Sequence, residues 1–139
     1  MMRVGQTEAW GTAPDAAAIE ALARAAMVRL PGAFRRYLGD VVLRVEDFAD
    51  DETLDALGIE DPFELSGLYR GRPVGEKSVG DSGALPDMIF LYRRALLDEW
   101  VESGETLEAL VSHVLVHEVG HHFGLSDDDM HALEQAAGI

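Results

Sequence analysis

Apolar residues between positions 105 and 123 recur at intervals of three and four, which is the spacing of an α-helix. The residues that form this pattern are Leu107, Leu110, Val111, Val114, Leu115 and Val119. Because they occupy more than one face, the helix should be largely buried. The sequence Ser-Gly-Glu at 103–105 is its predicted start. We therefore expect any polar side chain on this helix to have a partner or a function.

Shorter patterns on either side of this helix predict a mixture of helices and strands. Pro14 and Asp15 open an alanine-rich helix that should end at Pro31 and Gly32. Strands are predicted over 41–48, 63–71 and 88–93, and short helices around 54–57, 96–101 and 127–137. A stretch rich in Gly and Pro at 72–86 indicates a long loop. Together these elements predict an α+β fold, in which a small mixed β-sheet packs against helices.

The composition is that of a single globular domain. The chain has 139 residues, of which 47% are hydrophobic and 27% are charged. We predict that this domain covers 14–139 and that 1–13 form a flexible N-terminal tail. No run approaches the ~18 apolar residues of a membrane span, and the N-terminus lacks the apolar core of a secretory signal. The sequence therefore predicts a cytoplasmic protein.

Charge and the lack of cysteine narrow the classes of partner and metal site. The 11 basic and 26 acidic residues give a net charge of −15, which would repel nucleic acid and anionic membranes. Neither is expected as a partner. The same charge attracts cations, although solubility alone explains it equally well. Without cysteine, disulfides and thiolate zinc sites are excluded. The sequence leaves the oligomeric state open.

The buried helix carries the motif HExxHxxGxxD, formed by His117, Glu118, His121, Gly124 and Asp127. Histidines at i and i+4 stand one turn apart on the same face, so both imidazoles can reach one metal at ~2.0–2.1 Å. Glu118 could deprotonate a water at that metal without binding the metal itself. Gly124 permits a left-handed residue that ends the helix. Asp127 could then supply a third ligand and leave a fourth position open.

Asp127 has a competing structural interpretation. Ser126 followed by three aspartates is also a good helix N-terminus, with Asp129 at the capping-box position. Capping and metal binding could coexist if Asp127 points to the metal. Glu134 on the next helix is the alternative third ligand, followed by Asp128 or His131. His113 could support a metal ligand from behind, but a packing role is the favoured interpretation. His122 is interpreted as structural, and Gly120 as allowing another backbone to approach.

Three segments of the chain follow the pattern of a known family. They are Ser66–Gly71 (SGLYRG), Pro86–Arg93 (PDMIFLYR) and His117–Gly124 (HEVGHHFG). In this order they resemble the zincin metallopeptidases and, more closely, a small and compact bacterial zincin-like family. The resemblance covers roughly residues 24–137. It implies a minimal zincin-like fold with the HExxH helix at its centre, His117 and His121 as metal ligands, and Glu118 as catalytic base.

The resemblance also suggests where a substrate binds. In zincins the strand above the motif helix is often an edge strand that pairs with an extended peptide, and residues 88–93 are the candidate here. A core strand would explain Ile89 and Leu91 equally well. By residue type alone, the candidates for stabilising an oxyanion are Tyr69, Arg70, Tyr92 and Arg93.

The leading hypothesis is a zinc metalloendopeptidase, a hydrolase that cuts a peptide or protein substrate with a metal-activated water. One Zn²⁺ per chain would be bound by His117, His121 and Asp127, with Glu118 as general base; nitrogen-rich HExxH sites favour zinc over manganese or cobalt. The alternative is a non-catalytic, zinc-stabilised domain that binds peptides or proteins. Glu118 distinguishes the two, because a structural site needs no general base and is normally closed by a fourth protein ligand.

Overall fold

The structure, a computed structural model, describes residues 11–71 and 87–139. Its elements in chain order are α1 (Ala16–Arg29), α2 (Gly32–Leu38), β1 (Val42–Glu46), α3 (Asp51–Leu57), a 3-10 turn (Pro62–Glu64), β2 (Gly67–Arg70), β3 (Met88–Tyr92), α4 (Arg93–Ser103), α5 (Leu107–His122) and α6 (Asp127–Ala137). The predicted loop over 72–86 and most of the predicted tail over 1–13 lie outside the described residues. The small α+β fold is confirmed.

The N-terminal helix begins as predicted but is followed by a helix that was not predicted. Asp15 caps α1 by accepting a hydrogen bond from the Ala18 N–H at 2.9 Å. The chain leaves α1 at Leu30, and Pro31 then stands at the N-cap of α2 instead of ending all helical structure. A proline at a helix start loses no hydrogen bond, because the first N–H groups of a helix have no partner within it.

Two predicted boundaries are wrong for local reasons. The motif helix starts at Leu107 and not at 103–105, because Thr106 is the residue that caps it, accepting from the Ala109 N–H at 3.0 Å. Gly104, with a φ of 76°, instead ends α4. The strand predicted over 63–71 is shorter, because Pro62 at the first position of a 3-10 turn delays extended backbone until Gly67.

The sheet has three strands in the order β1-β3-β2, with β1 parallel and β2 antiparallel to β3. Side chains of β3 alternate between two core clusters on opposite faces of the sheet. Ile89 and Leu91 point to the cluster that contains α5, and both are fully buried. β3 is therefore a central strand. Of the two interpretations of 88–93, the core strand is confirmed and the edge strand is wrong. Within the described residues, β1 and β2 are the edge strands, and β2 packs against α5.

Helix α5 is central, as predicted, and contacts α1, α4, α6, β2 and β3. Its buried residues surround the helix, which explains why the apolar pattern was not a single stripe. Gly120 provides the room for α6, because a Cβ there would lie 2.6 Å from Cγ of the fully buried Met130. The expectation of a close backbone was wrong; the close neighbour is a side chain.

None of the helices in the described segments is long and apolar enough to cross a lipid bilayer.

Candidate metal centre

A row of imidazoles follows α5 toward its C-terminus. The three histidines, His113, His117 and His121, are spaced by four residues, so their side chains share one face of the helix. The ring centroids of His113 and His117 are 4.0 Å apart, and those of His117 and His121 are 5.8 Å apart. The structure thus brings the two motif histidines together on one face and adds a third.

His117 is held in the form that binds metals. Burial lowers its pKa, and the neighbouring His113 lowers it further, whereas the carboxylate of Glu134 raises it. Burial disfavours the charged imidazolium. A metal ion needs the neutral ring, so an imidazole that resists protonation is the better ligand.

Glu118 points to the other side of α5, against β2. Burial raises the pKa of this carboxyl, while the nearby His121 and a hydrogen bond from the Tyr69 backbone N–H lower it. Gly67 makes the close approach of strand and helix possible. A Cβ on Gly67 would lie 2.8 Å from Cγ1 of Val114 and 3.3 Å from Cγ of Glu118. The base proposed from the motif therefore sits half-buried at the junction of helix and strand.

The turn after α5 has the predicted geometry. Gly124 adopts a φ of 74°, and Leu125 donates its N–H to the carbonyl of Gly120 at 2.8 Å. Ser126 then caps α6, accepting from the Asp129 N–H at 3.1 Å, and the Asp129 side chain completes a capping box. The cap uses Ser126 and Asp129, which leaves the side chain of Asp127 exposed on the first turn.

Glu134 is the residue whose place the sequence predicted least well. Its carboxylate is only 9% exposed and lies between two histidines of α5. Oε2 is 2.8 Å from Nδ1 of His113, and Oε1 is 3.7 Å from Nε2 of His117. Within residues 11–71 and 87–139, these three form the group whose potential ligand atoms all lie within 4.8 Å of one another.

Asp127 is not a member of that group, and its role as third ligand stays a prediction. Its charge does act on the site, since it raises the pKa of His117. Asp127 and Glu134 are seven residues apart on α6, or about two turns, so they share a face of that helix. This spacing, and the repeat of histidines at 113 and 117, are the signals that could have drawn more attention to Glu134.

The four candidates for stabilising an oxyanion are divided by the sheet. Arg70 and Tyr92 alternate onto the face away from α5, where Arg70 donates to Oγ1 of Thr53 at 3.1 Å. Arg93 binds the carbonyl of Pro14 at 2.7 Å. Tyr69 alone of the four sits against α5, and its hydroxyl donates to Oδ2 of Asp87 at 2.8 Å.

Tyr69 joins the motif helix to the sheet. Its ring stacks on His122 with centroids 4.0 Å apart and meets Phe123 edge-on. Burial, and after it the bond to Asp87, raises the pKa of its hydroxyl above the usual range. His122 therefore packs against the sheet side, in keeping with its interpretation as a structural residue.

The donor set is one that zinc accepts. Imidazole nitrogens and carboxylate oxygens on two adjacent helices match the ligand types of catalytic zinc sites, and the chain has no cysteine that would favour a thiolate site.

Comparison with known proteins agrees with this chemistry. A model of the family described as zincin-like metallopeptidase matches residues 38–137, which is most of the chain and includes both α5 and α6. The matched span begins at residue 38, whereas the resemblance seen in the sequence began at about residue 24. No curated protein matches the chain in a sequence search. On the strength of the family match, the chain belongs to the zincin-like metallopeptidases.

Proposed function

We propose that the protein is a zinc-dependent metalloendopeptidase, with His117, His121 and Asp127 as metal ligands and Glu118 as general base. Family membership supports the zinc cofactor and the hydrolase class. The observation that carries the proposal is the carboxylate of Glu118, which lies beside the first motif histidine without joining the histidine cluster on the side of α6. A purely structural metal site has no use for such a residue.

The ligands would leave an open position for water. Two imidazoles and one carboxylate make a three-ligand set of the catalytic type. The zinc supplies Lewis-acid polarisation of the peptide carbonyl and lowers the pKa of water. His117 contributes a ring that burial keeps neutral. Asp127 would contribute charge, and the cap of α6 is formed by Ser126 and Asp129 and not by its side chain.

Glu118 is suited to moving the proton. During attack on the peptide carbonyl the carboxylate accepts one proton from the water, and it returns that proton to the departing amine. Because burial raises its pKa, this carboxylate is a stronger base than an exposed one. The Tyr69 N–H holds it in place at the edge of β2.

Among residues 11–71 and 87–139, no strand pairs with the outer edge of β2, and this edge is the proposed place for an extended peptide. Tyr92 donates its N–H to the carbonyl of Ser66 at 2.9 Å, so these two residues are a hydrogen-bonded pair of the antiparallel ladder. From that pair on, the residues of β2 point their backbone groups alternately to β3 and to the outer edge. By this alternation the backbone groups of Gly67 and Tyr69 point to the outer edge. The Tyr69 N–H already donates to Glu118, so a peptide would bind to Gly67 and to the Tyr69 carbonyl. A peptide added there would run beside Glu118 and the motif histidines, and main-chain hydrogen bonds would bind it with little sequence preference.

The proposal is tested by Glu118→Gln, with Glu108→Gln as the matched control on an exposed position of the same helix. Both variants and wild type are loaded with zinc, and cleavage of a peptide mixture is followed by mass spectrometry. We expect Glu118→Gln to keep its zinc and its fold and to lose about 10²–10⁴-fold in rate. Glu108→Gln should match wild type.

Full activity in Glu118→Gln would contradict the assigned base. Zinc-loaded wild type that cleaves nothing, but binds members of the peptide mixture, would support the non-catalytic interaction domain instead. The two outcomes differ in what wild type does, so one experiment separates them.

A further inference from the structure

The histidine pair at i and i+4 occurs twice on α5, and His117 belongs to both pairs. His117 and His121 form the pair of the motif, and His113 and His117 form a second pair one turn earlier. The earlier pair has the closer rings, with centroids 4.0 Å apart against 5.8 Å. Either pair has the spacing that allows two imidazoles to bind one cation.

The earlier pair has its own carboxylate. Glu134, on α6, is 9% exposed and contacts both rings, at 2.8 Å from Nδ1 of His113 and 3.7 Å from Nε2 of His117. A carboxylate this deeply buried is costly unless a positive charge or a donor accompanies it. Two imidazoles and a buried carboxylate converging from two helices are a ligand set as well as a hydrogen-bonded cluster.

The distances suit a cation of the size of zinc. Bonds of about 2.0–2.2 Å at tetrahedral angles place neighbouring nitrogen and oxygen ligands about 3.3 Å apart. The two contacts of Glu134, at 2.8 and 3.7 Å, lie on either side of that value. The two distances use different oxygens of Glu134, so binding one cation would require the carboxylate and the two rings to turn toward a common point. All three ligand atoms already lie within 4.8 Å of one another.

We propose that His113, His117 and Glu134 form a second cation position, which overlaps the catalytic one and serves as a resting position for the metal. It fits a divalent ion that accepts nitrogen and oxygen ligands, such as Zn²⁺ or Co²⁺. Because the two positions share His117, a chain holds the ion in one position or the other. Movement between them requires exchange of His113 and Glu134 for His121 and Asp127.

That the second cation position is a resting position depends on the proposed function, because it assumes that Glu118 is the general base. Along α5 the midpoint of the motif pair lies one residue from Glu118, and the midpoint of the earlier pair lies three residues away. Because His117 is a ligand in both positions, the ion would move by no more than about 4 Å, which is twice the length of a metal–nitrogen bond, toward His113 and away from Glu118. Glu118 also faces β2, away from α6. A cation between His113 and Glu134 would therefore have no general base beside it.

The test removes the catalytic position and asks whether a metal still binds. His121→Ala is purified, stripped of metal, and titrated with Co²⁺ by visible absorption, with zinc content measured separately by elemental analysis. We expect one ion per chain. Adding Glu134→Gln to His121→Ala should weaken Co²⁺ binding by at least the 10–100-fold that supporting residues of metal sites contribute. The matched control adds Gln135→Ala, an exposed position on α6, and should change nothing.

A folded His121→Ala protein that binds no Co²⁺ would overturn the second position. Equal Co²⁺ affinities for His121→Ala with and without Glu134→Gln would overturn it as well. Two ions per wild-type chain would show that the two positions can be occupied at the same time. Circular dichroism checks the fold of each variant, and Glu134→Gln keeps the shape of the side chain. The outcome is independent of the proposed peptidase activity, because the test measures metal binding in a variant from which a catalytic ligand has been removed.

Discussion

On the side of α5 that faces α6, the carboxylate of Glu134 lies with His113 and His117. The ring of His121 follows one turn later, and the rings of His113 and His121 are exposed. On the side that faces β2, the carboxylate of Glu118 is half-buried and is held by a backbone N–H. The first side offers several interchangeable ligands near water. The second offers one acid–base group in a tightly packed position.

This difference separates metal binding from proton transfer. Ligand atoms on flexible side chains can rearrange around an ion, so the α6 side tolerates more than one arrangement. Glu118 is placed by the close contact of Gly67 with α5, and close-packed atoms there leave little room for rearrangement. Changes on the α6 side should therefore affect the metal first, and changes on the sheet side should affect turnover and stability first.

The largest expected effect is on the α6 side, at Asp127. Asp127→Ala should lower zinc affinity by 10–100-fold or more, because it removes a proposed ligand. Asp128→Ala, its exposed neighbour on the same turn, should bind zinc like wild type. Zinc per chain is measured by elemental analysis after dialysis against a weak chelator. His117→Ala is the reference variant, because it should lose the metal whether Asp127 or Glu134 is the third ligand.

Retention of zinc by Asp127→Ala would move the third ligand elsewhere. Combination with Glu134→Gln then shows whether Glu134 has taken that role, since only the double variant would release the ion.

The next effect compares the two glycines that bring neighbours close to α5. In Gly67→Ala the new Cβ would lie 2.8 Å from Cγ1 of Val114, and in Gly120→Ala it would lie 2.6 Å from Cγ of Met130. Each should lower the free energy of unfolding by about 1–3 kcal/mol, as overpacking does. Gly67→Ala should lose turnover while keeping zinc, and Gly120→Ala should weaken zinc binding by displacing α6.

Chemical denaturation measures the first effect, and zinc analysis with peptide cleavage measures the second. Gly32→Ala is the control, because its Cβ would meet only the flexible end of Arg35, at 3.8 Å. If both glycine variants lost zinc binding and turnover to the same extent, metal binding and proton transfer could not be assigned to different sides of α5.

The sequence was sufficient wherever a signal was local. The motif placed His117, Glu118 and His121 on one helix, and Gly124 at its end, because helical spacing and glycine conformations depend only on neighbouring residues. Strand composition likewise located β1 and β3 to within a few residues. The α+β class followed from these elements.

What the sequence did not predict depends on how distant segments meet. Strand order cannot be read from composition, so the sequence left β3 open as an edge strand or a core strand, and it lies at the centre. The sequence offered Glu134 only as an alternative third ligand, and the packing of α6 on α5 is what brings it to His113 and His117. The side chain that meets Gly120 was unpredictable for the same reason.

The smallest expected effect is on the sheet side, at the hydroxyl of Tyr69. Tyr69→Phe removes the bond to Asp87 and should cost about 1 kcal/mol of stability at neutral pH. Zinc binding should be unchanged, because the ring still stacks on His122. Tyr92→Phe is the control. It removes a hydroxyl whose pKa is raised by burial to about 12, on the face away from α5, and should leave zinc unchanged too.

The pH dependence gives the sign of the contribution of Tyr69. Its pKa is raised in the folded protein, so above about pH 10 the unfolded chain releases a proton that the folded protein retains. Stability is then complete below that pH and falls as the pH rises further. Tyr69→Phe should make this alkaline decline shallower, measured by denaturation at pH 9–11. A decline as steep as in wild type would show that the Tyr69 hydroxyl is not held protonated between α5 and Asp87.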